Sequence, residues 1–172
     1  MRGGRRIALA AGVAVVAACA RAPKPAAEAA TPPAPQVPPD TDTVSLERGP
    51  CFGTCPVYRV SLDRAGNVRF EGHRFVADSG ISTAIVPREQ AESLFVELET
   101  ADYFDFADSY RSGDPVCTRY ATDLPTVITE VHLRGRTKRV EHDRGCADAP
   151  AALSALETRI DEVTGVGRWT GK

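Results

Sequence analysis

Five cysteines carry the reactive side chains of this 172-residue chain. Two of them, Cys51 and Cys55, sit in Gly49-Pro50-Cys51-Phe52-Gly53-Thr54-Cys55-Pro56; Cys117 and Cys146 follow, and Cys19 stands alone near the start. Thiols at such spacing can close a disulfide, hold a soft metal such as copper, or exchange electrons. The compartment decides among these, because disulfides persist only where glutathione and thioredoxin do not reduce them.

The first 18 residues, MRGGRRIALAAGVAVVAA, bear on the compartment. Arg2, Arg5 and Arg6 give a positive start, and the apolar run from Ile7 to Ala18 has 12 residues. That is short of the ~20 needed to cross a bilayer as a helix, so 1–18 is expected to be a signal peptide. Val16-Ala17-Ala18 places small residues before Cys19, the pattern of a cut that leaves Cys19 first and its thiol carrying a diacylglycerol, with the new amine acylated by a chain such as palmitate. An ordinary cut after Ala20 is the alternative, and Arg5-Arg6 is a faint twin-arginine hint. Each buried lipid CH₂ contributes about 0.8 kcal/mol, and more than one chain gives stable anchoring. Ala20 stands where an Asp would favour the inner membrane, by resemblance to Gram-negative lipoproteins. An outer-membrane lipoprotein facing the periplasm is therefore expected, touching the membrane through its N-terminal lipid.

Residues 19–43 are expected to be a tether. Seven of the 24 residues from 20 to 43 are proline and seven are alanine, too little apolar bulk to fold. Polyproline spacing of ~3.1 Å per residue gives a reach of up to ~75 Å. Residues 44–172 hold 16 Lys and Arg against 20 Asp and Glu, a net of −4, with length for one domain. No basic face dominates, so nucleic acid is not an expected partner.

The elements that must position the cysteines are readable by period. Tyr58, Val60 and Leu62 alternate with polar residues, Asp63 to Asn67 is turn chemistry, and Val68 to Glu71 alternates again, so 57–72 reads as a hairpin. A third strand is expected near 81–85. Pro87 opens a helix over 87–99 with Ala91, Leu94, Phe95 and Leu98 on one face. The pattern recurs: strands over Val127–Leu133 and Thr137–Glu141 about Arg134-Gly135, then a helix capped by Asp148, with Leu153, Leu156, Ile160 and Val163 inward and Gly165 as its stop. The expectation is an α+β fold, an antiparallel sheet of two hairpins with two helices on one face; a duplication would explain the repeated pattern.

With Cys19 lipidated, an even count of four cysteines in an exported domain favours disulfides, with three possible connectivities. Centring the second hairpin on Arg134-Gly135 sets residue 123 opposite 146, and Cys117 lies close enough upstream to fold back onto Cys146. Cys51–Cys55 is then a local loop. A thiol-redox or copper-handling role for Cys51 and Cys55 is the alternative. Cys-x-x-x-Cys-Pro resembles the copper site of Sco-type envelope chaperones, with His73, His132 and His142 available. Those sites need a helix after the motif, whereas Cys55-Pro56 runs into a strand.

Three other groups invite chemistry. Asp102, Asp105, Asp108 and Asp114 stand among Tyr103, Phe104, Phe106 and Tyr110 without calcium-loop spacing; a solvated loop, or a rim for a glycan or protein, is expected. Arg134, Arg136, Lys138 and Arg139 read as a charged hairpin edge that discourages strand pairing, or as a contact for an anionic envelope polymer. Asp123 before Leu124-Pro125 reads as a turn. No Ser-His-Asp, phosphate-loop or H-E-x-x-H motif appears, so no catalytic residue and no cofactor is expected and a non-enzymatic role is favoured.

Cys51-Phe52-Gly53-Thr54-Cys55-Pro56-Val57-Tyr58, the hairpin after it, Tyr120-Ala121-Thr122-Asp123-Leu124-Pro125 and Gly145-Cys146 together resemble an uncharacterised bacterial envelope lipoprotein family, domain of unknown function 6438, over about residues 46–164. The resemblance implies export, often through a lipoprotein signal, and brings no activity, ligand or catalytic residue with it.

Overall fold

The computed structural model describes residues 41–171; the signal segment, Cys19 and all but the last three residues of the expected tether lie outside them. The architecture is α+β: a seven-stranded sheet in the order β4-β3-β2-β1-β6-β7-β5 with two main helices on one face. All pairings are antiparallel except β5 with β7.

The strand at the centre is one that period reading passed over. β1 (Thr43–Arg48) turns Val44 and Leu46 inward and joins the two expected hairpins, pairing β2 (Val57–Asp63) on one side and β6 (Thr126–Leu133) on the other. Thr43, counted as tether by composition, is its first residue. Asp42 is ordered as well. Its carbonyl accepts Arg64 N–H at 3.1 Å, its carboxylate accepts Arg64 Nε at 2.8 Å, and Arg134 N–H reaches Oδ1 at 2.8 Å. The point where the chain enters the sheet is thus tied to both hairpin turns.

The first hairpin, β2 and β3 (Asn67–Arg74), closes as read, with Asn67 N–H and Nδ2 donating to the Asp63 carboxylate at 2.9 and 2.7 Å. Gly66 takes φ +96°, and a Cβ there would stand 2.3 Å from the Val86 carbonyl oxygen, so no other residue fits without a shift. β4 (Gly80–Ile85) is the expected third strand. α1 (Arg88–Thr100) buries Ala91, Leu94, Phe95 and Leu98, and Pro87 is its N-cap. A 3₁₀ turn, Tyr103–Asp105, and the two-residue β5 (Ser109–Tyr110) follow. β6 and β7 (Arg136–Asp143) turn through Arg134 at φ +51° and Gly135 at +74°, the backbone twist a two-residue hairpin loop demands.

α2 (Ala151–Thr164) buries Leu153, Leu156, Ile160 and Val163 and ends at Gly165 in the left-handed region, with Val166 N–H reaching back to Asp161 O at 3.3 Å. Its cap differs from expectation. Pro150 is the N-cap with no side-chain bond; Asp148 turns away to hold another loop. A short α3 (Gly167–Thr170), which carries too few residues to show a period, lays Trp169 on Phe70 at 4.9 Å between ring centroids.

One face of the sheet, from Val44, Leu46, Tyr58, Val60, Leu62, Val68 and Phe70 to Val127, Val131 and Val140, forms the core with the helices. The repeated hairpin–helix pattern is not a rotational repeat. β2 and β6 run the same way on either side of β1, and a rotation about β1 carrying one hairpin onto the other would put the two helices on opposite faces.

Candidate disulfide-braced loop site

Register gives the sheet two different ends. Thr43 faces Asp63 and His132 where both hairpins turn; Arg48 faces Tyr58 and Val127 at the other extremity. All four described cysteines belong to this second end. Cys51 and Cys55 lie at disulfide distance across the loop between β1 and β2, their Cα atoms 5.8 Å apart. Cys117 and Cys146 lie at disulfide distance with Cα atoms 5.5 Å apart, joining the loop before β6 to the loop after β7. The foldback of Cys117 is guided by a single antiparallel bridge, Tyr120 with Cys146.

The two loops are stitched side by side. Gly49 N–H donates to Thr126 O at 2.8 Å and Phe52 N–H to Asp123 O at 3.2 Å. Asp123 adopts φ +73°, as a turn residue can, and its carboxylate accepts the Thr122 hydroxyl at 2.9 Å. On the other flank Ala121 N–H donates to Gly145 O at 2.9 Å and Arg144 N–H to Pro125 O at 3.1 Å. A Cβ on Gly145 would stand 2.0 Å from Ala121 O, so this close approach requires glycine. Tyr120 OH donates to Asp143 at 2.6 Å, a bond that raises the tyrosine pKa.

Asp148 locks the cysteine-bearing loop. Its carboxylate accepts Thr118 N–H, Thr118 Oγ1, Arg119 N–H and Arg119 Nε, each at 2.8 Å. The Arg119 guanidinium and then the Thr118 bonds hold this carboxyl well below the usual range.

Beneath the loops a partly buried ionic cluster ties α2 to the sheet. Arg48 Nε donates to Asp161 Oδ2 at 2.8 Å and Tyr58 OH to Asp161 Oδ1 at 2.7 Å. Burial pushes the Tyr58 hydroxyl pKa up. Burial also raises the Asp161 carboxyl, with Arg48 pulling against it. Fully buried Glu157 meets His142 Nδ1 at 2.7 Å and Arg144 at 3.4 Å. Arg48, Asp161 and Glu157 escaped sequence reading. Asp161 and Glu157 sit in a helix read for its apolar residues and Arg48 in the strand passed over, and only the sheet register sets β1 and β7 beneath one helix.

The surface of this end is apolar where loops are ordinarily polar. Phe52 is 88% exposed at the tip of the Cys51–Cys55 loop, and Val116, Tyr120 and Leu124 are exposed on its neighbour. The bridges hold these side chains in place without their being buried.

The other candidate groups fall elsewhere. The acidic-aromatic loop and the basic hairpin edge, read as separate patches, meet: Lys138 pairs with Asp108 and Arg136 lies 4.0 Å from the Phe104 ring centroid, while Arg134 pairs with Glu99 of α1 at 2.9 Å. His132 bonds Glu130 and Thr137 on the outer sheet face, and His142 is in the core. His73 lies in β3 between Gly72 and Arg74, which pair with Tyr58 and Val57, and among the described residues no three His, Cys, Asp or Glu side chains converge to hold a metal. β2 follows Cys55 directly, without a helix N-terminus to stabilise a thiolate. No described helix is long and apolar enough to cross a membrane.

No curated protein matches the chain. The family model described as Domain of unknown function (DUF6438) matches residues 42–164, from the Asp42 latch to the last residue of α2, and the chain belongs to that family.

Proposed function

We propose that this is an exported envelope lipoprotein, anchored through Cys19, that presents its disulfide-braced loops to a partner protein. The observation that carries the reading is the placement of both cysteine bridges at the sheet end opposite the point where the chain enters. Two bridges favour an oxidising, extracytoplasmic location. A lipid at Cys19 would place the protein at the outer membrane facing the periplasm, with the proline-rich stretch after it as a spacer. The occupied role is binding. The loop end offers exposed aromatic and aliphatic side chains on a rigid frame, the composition of a protein contact.

The test is thiol counting on the full chain, trapped with acid and alkylated in intact cells, with labelled palmitate fed in parallel. The reading expects Cys51, Cys55, Cys117 and Cys146 all protected until reductant is added, and palmitate lost in Cys19→Ser. Four open thiols in the cell, or palmitate retained in Cys19→Ser, would contradict it. A redox role would instead show Cys51–Cys55 cycling between open and closed in unstressed cells.

A further inference from the structure

The two edges of the sheet are unequal. β5 at one edge has two residues and covers strongly charged β7. β4 at the other has six, Gly80-Ile81-Ser82-Thr83-Ala84-Ile85, with no charge and no proline. Ile81 is 60% and Ile85 79% exposed. An uncharged, exposed edge of this length is what soluble proteins otherwise avoid.

Its free hydrogen-bonding groups can be assigned. β4 pairs with β3 so that Ile85 faces Asn67 and Ile81 faces Glu71. Val86 N–H, continuing that register, donates to Gly66 O at 2.9 Å. Backbone groups alternate sides along a strand, so Ser82 and Ala84 turn theirs to β3. Ile81, Thr83 and Ile85 turn theirs outward, where none of the described elements pairs with them.

We infer that β4 pairs with β4 of a second copy of this chain, antiparallel about a two-fold axis between the two Thr83 residues. Ile81 then faces Ile85 of the second copy at both ends and Thr83 faces Thr83. All three pairs are of the hydrogen-bonded kind, since each joins two outward-pointing residues, and the ladder closes with six backbone bonds. The same register gathers four isoleucines on the outer face of a continuous sheet, a cross-strand apolar cluster. The strand ends agree in charge: Asp78 precedes β4 and Arg88 follows it, so the two-fold brings each acid towards the other copy's base. A contact that matches itself in spacing, hydrophobicity and charge is what an isologous interface requires. The proline-rich segment 20–43 is a poorer occupant, because seven of its residues lack the N–H a ladder needs.

The test is a Thr83→Cys substitution in the full chain, read on non-reducing gels from intact cells. Facing residues in such a pair have Cα atoms ~5.5 Å apart, within disulfide reach. The inference expects a band at twice the chain mass that disappears with reductant and falls at least tenfold when Ile85→Lys is added. Arg59→Cys, on the same sheet face but on interior strand β2, should give no such band. An unchanged circular dichroism spectrum for Ile85→Lys shows that the edge charge leaves the fold intact. A missing Thr83→Cys dimer, an equal band from Arg59→Cys, a band indifferent to Ile85→Lys, or cross-linking to a different polypeptide would overturn it.

Discussion

The two ends of the sheet solve the same problem, closing off strands, by different means. At the turn end the closures are short, Asp63 with Asn67 and a two-residue turn at Arg134-Gly135, with the long-range Asp42 latch across both. At the loop end the closures are long, from Gly49 to Pro56 and from Arg111 to Pro125, and they are held by one local cysteine pair and by sequence-distant pieces: the Cys117–Cys146 pair, the Asp148 lock and the Asp161 cluster. Long loops cost more entropy to order than tight turns. That reinforcement lies under exposed Phe52 and Leu124, the side chains through which the proposed contact would be made.

The largest contrast between the ends should come from charge. Asp161→Ala leaves the Arg48 guanidinium largely buried without its carboxylate and should cost about 3–5 kcal/mol. At the turn end Arg64→Ala, which breaks the more exposed pair with Asp42, should cost about 1 kcal/mol or less. Denaturant titration of both variants checks this; equal losses would erase the distinction.

The bridges should rank next. Cys117 and Cys146 are 29 positions apart and Cys51 and Cys55 only four. Loop-closure entropy then gives about 3–4 kcal/mol for the first and about 2 kcal/mol for the second. Paired Cys→Ser variants measured by urea unfolding should fall in that order, and stepwise reduction should open the exposed Cys51–Cys55 loop before the buried pair.

Acid should loosen the loop end through Asp148. Its folded pKa is depressed below the unfolded value near 3.9. Its contribution is therefore fully present above the unfolded pKa and is lost as pH falls towards the folded one. Asp148→Asn should remove that part of the acid dependence, so the gap between the stability–pH curves of parent and variant should narrow as pH falls below about 4. Curves that stay parallel would show that Asp148 does not anchor the 117–119 loop.

Much of this was legible because it is periodic. Tyr58-Val60-Leu62, Ala91-Leu94-Phe95-Leu98 and Leu153-Leu156-Ile160-Val163 each carry a repeat that names both element and buried face, and Gly165 marks a helix end by backbone necessity. β1 was missed because its two inward residues, Val44 and Leu46, make too short an alternation beside a proline-rich leader. Asp148 was misassigned because a capping residue and a loop anchor present the same carboxylate; only the fold brings Thr118 and Arg119 within reach. Hairpin register favoured Cys117 with Cys146 among three connectivities by setting residue 123 opposite 146; the fold sets Tyr120 there instead, with Cys117 still within reach. That both bridges share one end did not follow from register, since it depends on β1 setting the Cys51–Cys55 loop beside β6.

The account turns on the loop end being the one that meets a partner. The most direct measurement places a photo-activated cross-linking residue at Phe52 and, separately, at Gly135 on the turn end, in the full chain in intact cells. The account predicts one discrete cross-linked product of higher mass from position 52, weakened by Leu124→Ser, and none from position 135. Equal products from both positions, or none from 52 in a chain whose melting is unchanged, would contradict it.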